Sequence, residues 1–185
     1  MANNIITPEF RAVFVSLFKP SKPKNAPETQ PPKYSIRAAF PPDTDFTVLH
    51  KEIELAISEK ETWQEKRPKN IRSPFRENGE LDNPIQGIPD DWIVMTFSSD
   101  ALHKPGLVAS DLQDIIDETQ VYSGAWFRAE VRAYAYNPPG NNGVAFGLQN
   151  VQKLRDDDPL KAAENMDMQK RAKSAFTAVS GNVFD

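Results

Sequence analysis

The segment Val121–Asn137, VYSGAWFRAEVRAYAYN, constrains the fold more than any other stretch of the chain. Taken at alternate positions it separates into two sets. Val121, Ser123, Ala125, Phe127, Ala129, Val131, Ala133 and Ala135 are small or apolar. Tyr122, Gly124, Trp126, Arg128, Glu130, Arg132, Tyr134 and Tyr136 interleave aromatic rings with charge. Successive side chains of a strand point to opposite faces, so this period of two predicts a β-strand with one face in a core. Solvated strand faces normally carry Lys, Glu, Thr and Ser. Rings alternating with guanidinium groups make a platform where unpaired bases stack while the cations meet phosphates. The same pattern fits rings packed beneath a helix or a second sheet, and pattern alone does not choose. At about 3.4 Å per residue the segment exceeds 50 Å, too long to run straight in a small barrel. Gly124 is the natural place for a bend.

The 185 residues suit one domain with a decorated tail. Asp and Glu outnumber Lys and Arg by 26 to 22, a net charge of −4, so a globally basic nucleic-acid signature is absent. The charge is segregated, however. Residues 1–76 hold 13 basic and 9 acidic side chains, and residues 77–185 hold 9 and 17. A local positive groove is compatible with that division. No cysteine is present, which removes disulfide and thiolate chemistry, and neither His50 nor His103 has metal-ligand spacing. No membrane span or secretory signal is expected, and a soluble cytosolic protein is the default.

Glu9–Lys19 alternates as a strand, placing Arg11, Val13, Val15 and Leu17 on one face and Phe10, Ala12, Phe14 and Phe18 on the other. A proline-rich loop to Pro32 carries Lys22 and Lys24, and Lys33–Phe40 resumes as a second strand, forming a long-looped hairpin. Between Asp45 and Arg67 the period becomes helical, with Asp45 or Thr44 as cap and Pro68 as stop. Lys66, Arg67, Lys69, Arg72 and Arg76 cluster around Phe75 on an irregular stretch, where nucleic-acid contact and a plain surface loop read alike. Asp91–Ser98 is a hydrophobic strand, Asp111–Glu118 a short acidic segment of one or two helical turns, and Val144–Arg155 a strand hairpinned with the Val121 segment. Five strands, one main helix and long Pro-rich loops predict a mainly β domain. They match a five-stranded Greek-key barrel of the oligonucleotide/oligosaccharide-binding (OB) type.

Phosphate-cradling, hydrolase, metalloprotease and kinase motifs are all missing. A nuclease holding magnesium on carboxylates would draw on Asp90, Asp91, Asp111, Asp114 and Asp156–Asp158, although Asp156–Asp158 before a proline also reads as a turn and helix cap. The missing motifs favour a binding module without cofactor or metal.

Tyr122-Ser123-Gly124, Tyr134–Asn137, Gly143, Gly147-Leu148-Gln149-Asn150-Val151-Gln152-Lys153 and the Lys104-Pro105-Gly106 turn together resemble a family of phage proteins. That family was formerly a domain of unknown function and is regarded as phage single-stranded DNA-binding proteins. The likeness is dense over residues 92–160 and looser before them. It implies an OB barrel that coats single-stranded DNA in phage replication and recombination, in the cytoplasm of the infected host. A distant kinship to podophage replication proteins that dimerise and contact DNA polymerase through an acidic, aromatic-ended tail is also implied. Here the chain ends Asn182-Val183-Phe184-Asp185, with the aromatic but without the acidic run.

The resulting expectations are a binding domain over residues 1–160 and a polar tail over 161–185 that ends in Phe184 and Asp185 as partner contacts. Trp126, Tyr134 and Tyr136 are expected to stack bases, with Phe75 and Tyr34 in second rank. Arg128, Arg132, Arg37, Arg72, Arg76 and Lys153 are expected to meet phosphates. A scaffolding protein with the same β domain and a metal nuclease are the alternatives, and both monomer and homodimer fit.

Overall fold

In a computed structural model, residues 2–160 together with Ala175 and Phe176 are described. The elements run β1 (Asn4–Ile6), β2 (Phe10–Ser21), β3 (Lys33–Phe40), α1 (Thr47–Ser58), α2 (Glu61–Gln64), β4 (Arg76–Glu77), β5 (Ile93–Asp100), β6 (Gly106–Val108), β7 (Trp126–Tyr136) and β8 (Gly143–Arg155). Five long strands close on themselves in the order β7-β2-β3-β5-β8, with β8 returning to β7. All neighbours in this ring are antiparallel except β5 and β8, which pair in parallel. A closed five-stranded Greek-key barrel is the OB architecture. The short strands β1, β4 and β6 are additions to it, pairing with β7, β5 and β8.

The expected alternation holds along β7, where Phe127, Ala129, Val131 and Ala133 are buried and Arg128, Arg132 and Tyr134 are exposed. Small inward residues on β7 leave room for rings from the other strands. Phe10 sits among Phe40, Phe97 and Phe127 with ring centroids 5.4, 5.8 and 6.4 Å away, and Phe97 meets Phe146 at 6.0 Å. Leu49, Ala56 and Ile57 of α1 join this core.

Four local expectations are corrected. The strand does not start at Val121, because backbone pairing there gives way to a turn with Gly124 at φ +114°. A Cβ on Gly124 would run into the main chain of Asp158 and Pro159, so the close approach and the positive φ both require glycine. Ser123 donates its hydroxyl to the Val13 carbonyl at 2.8 Å, and the Gly124 amide reaches Ala12 at 2.7 Å, tying the turn to β2. The second correction is the phase of β2. A bulge at Val13 lies between the pairs Ala12↔Ala38 and Phe14↔Arg37. It keeps Phe10 and Ala12 inside, adds Val15 and Leu17 to the same core, and turns Phe14 out to 52% exposure. The single helix expected over Asp45–Arg67 is the third. It breaks after Ser58, whose hydroxyl bonds the Leu55 carbonyl at 2.8 Å, while Lys60 turns extended before α2. Asp45 nevertheless closes the entry by accepting the Thr47 amide at 2.9 Å. The acidic stretch Asp111–Glu118 is not helical either, since Asp114 bridges Val108 and only Glu118–Gln120 forms a 3-10 turn.

Phe10→Ala empties the centre of the ring cluster and is expected to cost about 3–5 kcal/mol of stability, read by urea denaturation. Retention of the wild-type midpoint would show that the barrel core lies elsewhere.

Candidate nucleic-acid interface

The strand register lines up outward-facing side chains in two adjacent rows around the barrel. One row runs Ser16↔Ser35, Ser35↔Ser98, Ser98↔Gly147 and Gly147↔Arg132, crossing β2, β3, β5, β8 and β7. Four small residues make a flat floor that ends at a guanidinium. The neighbouring row runs Phe14↔Arg37, Arg37↔Thr96 and then Ala145↔Tyr134, with Ala145 level with Thr96 because Phe97 pairs with Phe146. At about 4.8 Å between strands, each row is about 19 Å long.

Three side chains of the second row touch in series. Arg37 holds its guanidinium 5.4 Å from the centre of the Phe14 ring and donates Nε–H to Thr96 Oγ1 at 3.3 Å. Burial lowers the Arg37 pKa from its ordinary value. Tyr134 is 45% exposed and lies 6.4 Å from Tyr136. Its ring passes within 3.8 Å of where a Cβ on Gly147 would stand, and burial followed by Tyr136 raises its hydroxyl pKa. Tyr136 covers Gly143 so closely that any side chain there would collide with the phenol. Arg72 continues this end, since its amide and carbonyl bond Asn142 and Val144 on the other side of Gly143. Arg76 lies opposite Val94, two residues or about 7 Å along β5 from Thr96. On β2, Phe18 sits under the Lys104 ammonium at 5.6 Å.

The expected site residues therefore divide. Arg37, Arg72, Arg76, Arg132, Tyr134 and Tyr136 gather on this face. Tyr34 does not, being 8% exposed and in phase with inward Ile36 and Ala38, so burial takes it out of the stacking set. Phe75 stacks on His50 at 4.5 Å and meets Phe46 edge-on at 5.1 Å, which commits its ring to packing against α1. Trp126 lies eight residues, about 27 Å, from Tyr134 along β7. Its indole lies under the Arg155 guanidinium at 4.5 Å and beside the Trp92 ring, tilted at 53° with centroids 6.2 Å apart. Its N–H donates to Asp157 Oδ2 at 2.8 Å. Lys153 is held beside it by Asp156 at 2.6 Å and the Tyr122 ring at 5.2 Å, and Arg128 Nε donates to Gln152 at 2.7 Å.

The clasp ties Asp156–Asp158 to Tyr122, Trp126, Lys153 and Arg11. Tyr122 donates to Asp156 at 2.8 Å, and Arg11 reaches the Asp158 carbonyl at 2.6 Å. Among the described residues no three His, Asp or Glu side chains gather as a metal site. Phe184 and Asp185, and the tail from residue 161 apart from Ala175 and Phe176, lie outside the described residues. Phe14 and Phe18 were missed as surface rings because plain alternation puts them in the core. Only the bulge reverses them, and no residue type announces it.

The family model described as the single-stranded DNA-binding protein of Enterobacter phage Enc34 matches residues 3–180. The chain belongs to that family. Among solved structures, the Enc34 single-stranded DNA-binding protein in complex with single-stranded DNA is similar at TM-score 0.69 and 20% identity, over 85% of this chain and 89% of that one. A second structure of the Enc34 single-stranded DNA-binding protein aligns at TM-score 0.64 and 20% identity, over 86% and 85%. The gp2.5 single-stranded DNA-binding protein of bacteriophage T7 aligns at 0.61 and 13%, over 100% of both chains. No curated protein sequence matches the chain. In this Enc34-family chain the Tyr-Ser-Gly motif serves the fold: Tyr122 clasps the aspartates, Ser123 pins the bulge, and Gly124 permits the crossing of Asp158.

The Trp126 indole, followed by the Asp158 amide, Arg11 and Arg155, holds the Asp157 carboxyl below its ordinary 3.8. A carboxyl lowered in the folded state contributes fully at neutral pH, and its contribution is lost as pH falls from 3.8 through the lower folded value. Tryptophan emission is expected to titrate in that acid window in the wild type and to lose that step in Asp157→Ala. An unchanged step in the variant would contradict the clasp.

Proposed function

We propose that this protein binds single-stranded DNA across the two rows of its outer barrel face, independently of sequence. In this reading it coats the strand during phage DNA replication and recombination, in the cytoplasm of the infected host. Membership of the Enc34 family supports single-stranded DNA as the ligand. The observation that carries the assignment of the face is the register of Phe14, Arg37 and Tyr134 beside a floor of Ser16, Ser35, Ser98 and Gly147. Small floor residues let a sugar-phosphate backbone approach the sheet closely. Rings offer every base a π-face regardless of identity, and this accounts for sequence tolerance. Arg37, Arg132, Arg72 and Arg76 supply the phosphate contacts, which explains how a chain of net charge −4 binds a polyanion locally.

Tyr134, Tyr136 and Phe14 are the stacking residues of this reading. Trp126, Arg128 and Lys153 brace the far end of the barrel instead. The division into a binding domain over residues 1–160 and a tail over 161–185 is part of the same proposal. So is contact of Phe184 and Asp185 with a replication protein such as the polymerase. No helix among the described residues is long and apolar enough to cross a membrane.

Fluorescence anisotropy of labelled oligo-dT tests the face. Tyr134→Ala is expected to weaken binding by about 1–3 kcal/mol, or roughly 5- to 150-fold. Arg132→Ala is expected to reduce the log–log salt slope by about 0.7. Wild-type affinity and slope in both folded variants would remove the face. Failure of the wild type to bind oligo-dT at low salt would remove the ligand and favour a scaffolding role.

A further inference from the structure

Two surface features beside the DNA face have no role in the reading so far, and they fit each other. The first is a rigid apolar knob. Between Lys104 and Arg128 the chain has no basic residue and four acidic ones, Asp111, Asp114, Asp117 and Glu118. Among those carboxylates Leu112 and Ile116 stand out at 71% and 86% exposure. Leu112 takes φ +68°, a region that costs a residue with a side chain, so the turn holds it there against local preference. The turn is well braced. Leu112 and Ala109 close it by backbone bonds of 3.0 Å to Ala109 and 2.8 Å to Gln113. Gln152 of β8 donates to the Ala109 and Ser110 carbonyls at 3.2 and 3.3 Å, and buried Ile115 anchors the base. A knob held in one conformation loses little entropy on docking.

The second feature is a hole of opposite charge. A cavity of about 240 Å³ opens between α1 and the segment preceding β4. Ile53, Ile71, Phe75 and Val144 line it, and Arg67 and Arg72 stand at its edge. Glu54 also borders it and keeps Arg67 there at 3.6 Å. The space suits one aliphatic side chain, with the Arg67 guanidinium placed to meet a flanking carboxylate.

Knob and hole lie at opposite ends of one strand. The hole abuts Val144 and the knob is braced by Gln152, eight residues or about 27 Å along β8. They cannot meet within one molecule. A contact between two different patches of the same chain is heterologous, and repeated without closure it produces an open row of copies. The hole also lies beside Arg72 and Tyr136, where a bound strand would leave one barrel for the next.

We infer that the Leu112/Ile116 knob of one copy docks in the α1 hole of the next copy, head to tail, when copies lie side by side on single-stranded DNA. One knob and one hole bury far less than the roughly 1,200 Å² of a stable interface, so the contact is weak in free solution. DNA supplies the effective concentration that makes it form. This coupling between neighbours extends the single-strand reading of the barrel, but the contact itself can be tested without it.

The affinity of wild type for oligo-dT long enough for one copy is compared with its affinity per site on long poly-dT. A gain of roughly tenfold or more on the long strand is expected. Leu112→Ser/Ile116→Ser should bind the short oligonucleotide like wild type and lose that gain. A wild-type gain near unity, or a gain kept by the double variant, overturns the inference. The cysteine-free chain permits a direct check in Ile53→Cys/Ile116→Cys. On oxidation this variant should form a ladder of dimers, trimers and larger species on poly-dT, while neither single variant extends beyond a dimer. If the wild type binds no DNA, the single-strand reading falls. The same oxidation at high protein concentration then decides the contact, with a ladder supporting it and monomer alone overturning it.

Discussion

The ladder between β7 and β8 is the interaction on which the rest of the molecule depends. It runs without loss of pairing from Trp126↔Arg155 to Tyr136↔Gly143, and its irregularities fall on β8, so β7 keeps strict alternation. The small inward residues of β7 admit the rings of Phe10, Phe97 and Phe146 to the core. Its outward residues meet glycines on the partner strand, Arg132 opposite Gly147 and Tyr136 opposite Gly143. Because β8 also pairs in parallel with β5, the same ladder closes the barrel and brings Ser98 level with Gly147. Loss of the ladder would remove the core, the closure and the outer rows together.

The two ends of β7 carry the same residue types in different states. At the Trp126 end, Arg11, Lys153 and Arg155 meet carboxylate or main-chain oxygens of Glu9 and Asp156–Asp158, and the indole packs against Arg155 and Trp92. At the Tyr134 end, the ring is half exposed and the adjacent floor is bare serine and glycine. Aromatic and cationic composition alone does not make a ligand site. Unspent donors and uncovered rings do, and three aspartates decide which end has them.

Most of the architecture was legible in the residues. Alternation on β7, the proline-punctuated β2–β3 hairpin and the helical period after Asp45 specify the main elements, and a strand count of five is enough to point to the barrel. The bulge at Val13 was not legible, since an extra residue in one strand changes no local propensity, yet it decides whether Phe14 is core or surface. Tyr34 was misassigned because a tyrosine can enter a barrel interior with its hydroxyl at the rim, and one strand's pattern does not show which face is inside. The clasp of Trp126 depends on Asp157, 31 residues away, and no spacing rule connects them.

The central claim is that unpaired bases lie on the Phe14–Arg37–Tyr134 face. It is tested most directly by ultraviolet cross-linking of the protein to an oligo-dT carrying 5-bromodeoxyuridine, with the linked peptides mapped by mass spectrometry. Cross-links on Phe14, Tyr134 and Tyr136 are predicted. Cross-links confined to Tyr122, Trp92 and Trp126 would instead place the strand at the clasp and contradict the account.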